Sequence, residues 1–393
     1  MSTLTSRERM IKSISHQEVD HIPCSFMSFT ALRNRMGDDF YKLCEAELGM
    51  GLDSMLFLPY LSRKERPDHP ELRGLPVRFH ADVETKEWRE NVAGSSDILH
   101  KEYITPAGNL STSVKLSDDW PHGDHIPFVD DFQVPRSIKP LITEPKDLKI
   151  LQYLLQPPTD DVISYFAAET KKAKAFIEEE NVLLVGGWGV GMDMANWLCG
   201  MQGLMTLAIS NTSFVEDLFD LIHKWNMERM KVVLSGNIDL YLRRSWYEGC
   251  DFVLPGFYEK VILPRLKKEV DLAHEHGAKF GYICSSGLTP MLEFHKQAGF
   301  DVMIGIDPIQ GTHTDLPKIK EFYGDQIAIW GGVSGAITVE MGTETEIRSA
   351  VDQVVKNLGP DGFILSPVDN ITVDEPKTWE NIDIFIDAWK RHW

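Results

Sequence analysis

The stretch KFGYICSSGLTPMLEFHKQAGFDVMIGID (279–307) decides how the chain folds. It opens on a short run of β-formers that is apolar on both faces, KFGYIC (279–284). A Gly-containing loop and a helical pattern stopping at Gly299 follow, and a second apolar run, DVMIGID (301–307), closes the unit. Strands without a polar face belong to parallel sheets covered by helices, and glycine is the usual helix stop.

The same beat runs through the chain in both directions. Earlier candidate strands are HIPCSFM (21–27), DSMLFLP (53–59), VLLVGGW (182–188) and IDLYLRRSW (238–246); later ones are IAIWGGV (327–333) and FILSP (363–367). Helical patterns cover 214–235, 263–277 and 344–359. Eight alternations of strand and helix predict an α/β protein, a (β/α)8 TIM barrel with its active site at the strand C-termini. The alternative is an open doubly wound sheet. The beat breaks from about 60 to 160, where 77–91 and 100–116 look like strands and PAGN supplies a turn. We expect one domain over 1–393, with 60–160 a β-rich insertion after the second strand. Such an insertion is expected to form a lid or pocket wall over the strand C-termini.

Composition narrows the function. Forty Lys+Arg against 59 Asp+Glu give a net charge of −19, which speaks against a nucleic-acid partner. No apolar stretch has signal-peptide or membrane-spanning length. The five cysteines, Cys24, Cys44, Cys199, Cys250 and Cys284, are scattered and odd in number, as for free thiols in a reducing compartment. A cytoplasmic protein with no membrane partner is expected; a homodimer is compatible with the sequence.

Three segments resemble the uroporphyrinogen decarboxylase superfamily: LTSRERMIKSISHQEVDHIPCSFM (4–27), GFYEKVILPRLKKEVDLAHEHGAKFGYIC (256–284) and GFILSPVDNI (362–371). The resemblance implies the barrel and either tetrapyrrole decarboxylation or cobalamin-linked methyl transfer. The decarboxylases hold substrate carboxylates with arginines of an M-R-Q-A-G-R segment. Here FMSFTALRNRMG (26–37) puts Ser28 at the first Arg, leaving Arg33 and Arg35 as substitutes. Their pyrrole-binding Asp is matched by Pro59. The thiol-methylating members bind zinc through H-x-C and a later Cys; the matching positions here are Tyr282, Cys284 and Asp369. Zinc held by an altered set, with Cys284 and Glu248 as ligands, is the remaining metal reading.

These departures point to the other half-reaction, transfer of a methyl group from a small methylated donor to the Co(I) corrinoid of a separate protein. Co(I) is already a strong nucleophile, so the enzyme must activate the departing heteroatom. O-demethylation of a methyl ether is one form of this reaction. Candidate catalytic residues near strand ends are Glu248, Tyr282, His313 and Asp369. Trp188, Trp246, Tyr247 and Asn370 are candidates for holding the donor. Each has a plainer reading: barrel core for the aromatics, a cap or surface acid for Glu248, a solvated loop for His313, an inert buried thiol for Cys284. Asp307 reads as a cap. His122 and His125 have the spacing of a metal pair without further ligands nearby. GGWGVGM (186–192) misses the third glycine of a dinucleotide loop and reads as a turn that lets backbone approach a large ligand such as a corrinoid. Alternative functions are a decarboxylase acting on a different substrate and a non-catalytic tetrapyrrole- or corrinoid-binding protein.

Overall fold

A computed structural model describes residues 3–393. The strands, in chain order, are β1 (Met55–Leu58), β2 (Glu84–Glu90), β3 (Ile98–Thr105), β4 (Gly108–Lys115), β5 (Ser137–Lys139), β6 (Leu183–Val190), β7 (Leu240–Arg244), β8 (Lys279–Ile283), β9 (Val302–Ile306), β10 (Ala328–Ser334) and β11 (Phe363–Val368). The chain divides into two compact units. One comprises the chain up to Tyr60, Ala167–Gly187 and Val233–Trp393; the other comprises Leu61–Phe166 and Trp188–Val232.

The first unit is built on a curled parallel sheet in the order β1-β6-β7-β8-β9-β10-β11. Spatial order follows chain order, as repeated strand–helix units require. Every residue of β6, β7, β9, β10 and β11 is buried, so the two-faced apolar runs read correctly as covered strands. Helices Leu263–Glu275, Leu292–Ala298, Leu316–Tyr323 and Glu344–Leu358 connect successive strands. Among the described residues no helix is long and apolar enough to cross a membrane.

Seven of the eight expected strands form. The first, 21–27, makes only a one-residue bridge, Cys24 to Leu365. Its ladder cannot extend, because Pro23 has no N–H and the Cys24 N–H is taken by the Asp53 carboxylate at 3.0 Å. Even so, Ser25 N–H donates to the Leu365 carbonyl (3.0 Å) and Asp53 N–H to the Cys24 carbonyl (2.7 Å), so the segment bonds on both sides.

The N-terminal resemblance motif is structural. Thr5 and Glu8 form a capping box on helix Ser6–Ile14. Arg7 grips Asp239, just before β7, with two bonds of 2.6 and 2.9 Å. Arg9 spans Asp20 (2.7 Å) and Asp53 (2.5 Å). The helix is thus clamped to residues that enter β1 and β7.

In the second unit β2-β3-β4-β5 form an antiparallel sheet. β2 starts only at Glu84, because a turn from His80 to Val83 occupies the front of the expected strand. β3 alternates buried and half-buried residues, and Leu99 packs with Val114, Trp120 and Ile126. Lys101 points to the same buried face. Its ammonium is held by Asp68 (2.7 Å), the Ile126 carbonyl (2.7 Å) and Glu87 (3.4 Å). His125 bridges the same carboxylates, at 3.5 Å to Asp68 and 3.0 Å to Glu87. His122 faces Asp130 instead (3.3 Å), so the two histidines do not converge on one point.

Hydrogen bonds to Asp68 and Glu87 push His125 up to about 9. A raised histidine stabilises fully below its ordinary value of about 6.5, and that stabilisation is lost as pH rises through the folded value. We therefore expect unfolding free energy to fall by about 1–2 kcal/mol between pH 6.5 and 10, after discounting for solvent screening. Urea denaturation across that range checks this, and His125→Ala should flatten the slope.

Candidate functional site

The chain IDLYLRRSWYEGC (238–250) carries an arginine pair inside an apolar strand, and strand alternation sends the two to opposite faces. Arg243 turns to the helix-covered face and is 2% exposed. Its Nη2 donates to Glu248 and its Nη1 to Glu269 of helix Leu263–Glu275, both at 2.6 Å, while its Nε donates to Ser245 Oγ at 3.2 Å. Burial opposes the charge on Arg243, but Glu248 and Glu269 outweigh it and hold the guanidinium firmly protonated.

Glu248 is fully buried. Its second oxygen accepts from Tyr282 OH of β8 at 2.6 Å, and Tyr282 in turn accepts from Tyr258 OH at 3.3 Å. Burial and then the Glu248 carboxylate hold Tyr282 well above the ordinary phenol value, so it stays a donor. Its ring stacks on Phe300 with centroids 4.9 Å apart. Beside it, His295 Nδ1 meets Tyr323 OH at 2.8 Å; burial pushes His295 down to about 3, leaving it neutral. The structure therefore brings Glu248 and Tyr282 together, as buried partners in the layer between sheet and helices. Arg243, Glu269 and Tyr258 complete the group and escaped the sequence reading. The signal for Arg243 was a charge within an apolar strand followed five residues on by an acid.

The other candidates spread along the strand ends. Cys284 is buried; its N–H donates to the Ile304 carbonyl (3.0 Å) and its Sγ contacts the Ser286 carbonyl at 3.6 Å. Trp246 is half-buried beneath the Arg244 guanidinium, 4.9 Å from its ring centre, and Tyr247 meets Phe252 edge-on at 5.1 Å. His313 is exposed, and its carbonyl anchors Thr289. Asp369 is exposed at φ +66°, directly after β11. Asn370 is tied to Thr30, accepting its N–H at 3.0 Å and donating to its Oγ1 at 2.9 Å. Trp188, in the second unit, is buried at a strained φ of +119° under the Arg73 guanidinium (4.7 Å).

Two expectations about ligands need revision. A Cβ on Gly187, at φ +102°, would stand 2.5 Å from the Tyr241 ring. Gly187, and Gly186 with a Cβ position 2.8 Å from the Leu58 carbonyl, thus serve internal packing rather than the approach of a large ligand. For zinc, the residues do not fit. Both Glu248 oxygens are already held at 2.6 Å, Tyr282 is a protonated donor, and Asp369 lies on the surface. Among the described residues no three His, Cys, Asp or Glu side chains are grouped to hold a metal ion.

The decarboxylase-type arginine positions are also occupied. Arg33 pairs with Asp38 at 3.3 Å. Arg35 pairs with Asp374 at 2.7 Å and stacks on Trp379 at 3.9 Å. Pro59, directly after β1, supplies no carboxylate.

A curled parallel α/β sheet with polar side chains gathered at its strand ends is the architecture of barrel-type enzymes. The uroporphyrinogen decarboxylase (URO-D) family model matches residues 122–392, and the chain belongs to that family. No curated protein matches it in sequence. Among solved structures, a methyltransferase from Methanosarcina mazei is similar over 99% of both chains, at 16% identity and a TM-score of 0.59. At that identity the likeness is one of fold. A B12-independent methionine synthase from Shewanella sp. W3-18-1 is similar over 56% of this chain and 65% of its own, at 11% identity and a TM-score of 0.37.

Arg243→Ala leaves two buried carboxylates facing each other and should cost about 3–5 kcal/mol of stability. Tyr282→Phe, which strips one donor from Glu248, should cost about 1–3 kcal/mol. Urea denaturation at pH 7 reads both. Adding Glu248→Gln to Arg243→Ala should recover part of the loss, because it removes one of the stranded charges.

Proposed function

We propose that this chain is a corrinoid-dependent methyltransferase that moves a methyl group from a small methylated donor, such as a methyl ether, to the Co(I) corrinoid of a separate protein. Membership of the URO-D family and full-length likeness of fold to the Methanosarcina mazei methyltransferase support the reading. The observation that carries it over decarboxylation is the commitment of Arg33 and Arg35 to Asp38 and Asp374. A polycarboxylate substrate needs guanidinium groups that face it, and these two already face carboxylates of the chain.

The corrinoid supplies the nucleophile that takes the methyl group. The protein's own task is then to hold the donor and to deliver a proton to the heteroatom as its bond to the methyl carbon breaks. Tyr258, Tyr282 and Glu248 form a buried hydrogen-bonded file, with Arg243 fixing Glu248 in place, that sets the loop after β7 carrying Trp246 and Tyr247. His313 and Asp369 are ionisable groups on the exposed loops beyond β9 and β11. Trp246 and Tyr247, half-buried after β7, present ring surface for the donor's apolar part, with Asn370 as a further contact. The corrinoid protein and the donor are the partners this reading requires; the chain works in the cytoplasm.

Mixing the protein with a reduced corrinoid protein and a panel of methylated ethers, amines and thioethers tests the proposal. Loss of the Co(I) absorbance, matched by release of the demethylated product, is the expected result. No loss with any donor, alongside carbon dioxide release from a carboxylic acid, would sink methyl transfer in favour of decarboxylation.

A further inference from the structure

Asp307 follows β9 directly, between the ends of β8 and β10, and is 1% exposed. Its two carboxyl oxygens have different surroundings. Oδ1 accepts from the backbone N–H of Ile309 (2.8 Å) and of Gln310 (3.0 Å), an Asx-type turn that starts the loop after β9. Oδ2 is buried and has no hydrogen-bond partner among the described residues. The loop is pinned independently elsewhere. Asp307 N–H donates to the Ser285 carbonyl (3.1 Å), Gln310 Nε2 to Ser334 Oγ (3.2 Å) and Thr312 N–H to Asp251 (3.2 Å). One acceptor oxygen is therefore all the turn needs, and asparagine or serine would supply it. A second carboxyl oxygen buried without a donor is costly, and the turn does not account for it.

We propose that Asp307 Oδ2 is a ligand-binding acceptor, taking a hydrogen bond from an O–H or N–H that lies beside the methylated heteroatom of the donor molecule. A carboxylate at a strand C-terminus can only accept, so the group it meets must carry a proton. The favoured ligands are then hydroxylated methyl ethers or protonated methylamines, rather than bare ethers or quaternary ammonium ions. The identity of the ligand as a methyl donor rests on the methyl-transfer reading; the acceptor role rests on the geometry of Asp307.

In two probe pairs only the first member carries such a proton: 2-methoxyphenol against methoxybenzene, and trimethylammonium against tetramethylammonium. Calorimetric titration of the full-length protein should find the proton-bearing member of at least one pair bound about tenfold tighter or more. Asp307→Asn and Asp307→Ser both keep the turn acceptor, so the melting temperature should hold while discrimination falls to about twofold or less. A wild-type protein that discriminates neither pair overturns the assignment, and so do folded variants that retain the preference. If binding behaves as expected while no probe yields methyl to Co(I), methyl transfer falls and the acceptor role of Asp307 stands.

Discussion

A guanidinium with almost no water around it, Arg243, sets the terms for the centre of the first unit. Taking that charge out of water costs several kcal/mol, which only close, well-aimed carboxylates offset. Glu248 and Glu269 meet it at 2.6 Å from two directions, one from the loop after β7 and one from the covering helix. Two carboxylates against one guanidinium leave an excess negative charge, and Tyr282 answers it by donating to Glu248. The alignment of β7, β8, the helix Leu263–Glu275 and the loop carrying Glu248 is thereby fixed by one ion. Shape-filling apolar contacts alone would tolerate small slips between those elements; a bifurcated ion pair does not.

The same kind of constraint operates where the chain begins. Thr5, Glu8, Arg7 and Arg9 are the residues that make the N-terminus resemble its family: Thr5 and Glu8 cap the first helix, and Arg7 and Arg9 hold it against Asp239, Asp20 and Asp53. The motif therefore reports architecture. It lies outside the 122–392 stretch that shows the family, and it bears on how the parallel sheet is held rather than on the chemistry at the strand C-termini.

This explains what was legible in the amino-acid sequence. Apolar runs bounded by glycine and followed by helical periodicity located seven strands of the parallel sheet to within two residues or so. The eighth failed for a local reason, a proline and a side-chain carboxylate that together use up the ladder at Cys24. The site was less legible because the sequence places residues along the chain but not on faces. Glu248 and Tyr282 were recognisable as strand-end acids, yet their mutual bond and their position under the helices depend on which way β7 and β8 alternate. Arg243 and Arg244 look equivalent as neighbours, while the fold gives one to the helix layer and the other to the opposite face beside Trp246. His313 and Asp369 sit at the predicted distance beyond their strands, but on exposed loops whose course no periodicity encodes.

Comparing the two buried acids at this edge of the sheet separates scaffold from site. Glu248 has both oxygens engaged by Arg243 and Tyr282, so any change there disturbs the ion pair before it disturbs a ligand. Loss of turnover in a Glu248 variant would consequently mix folding with chemistry. Asp307 divides its labour: one oxygen builds the turn and the other is left over. A group whose structural duty is complete with half its hydrogen-bonding capacity unspent can be altered without disturbing the fold. That makes it the more informative place to look for contact with a substrate, because a variant there reads binding before it reads folding.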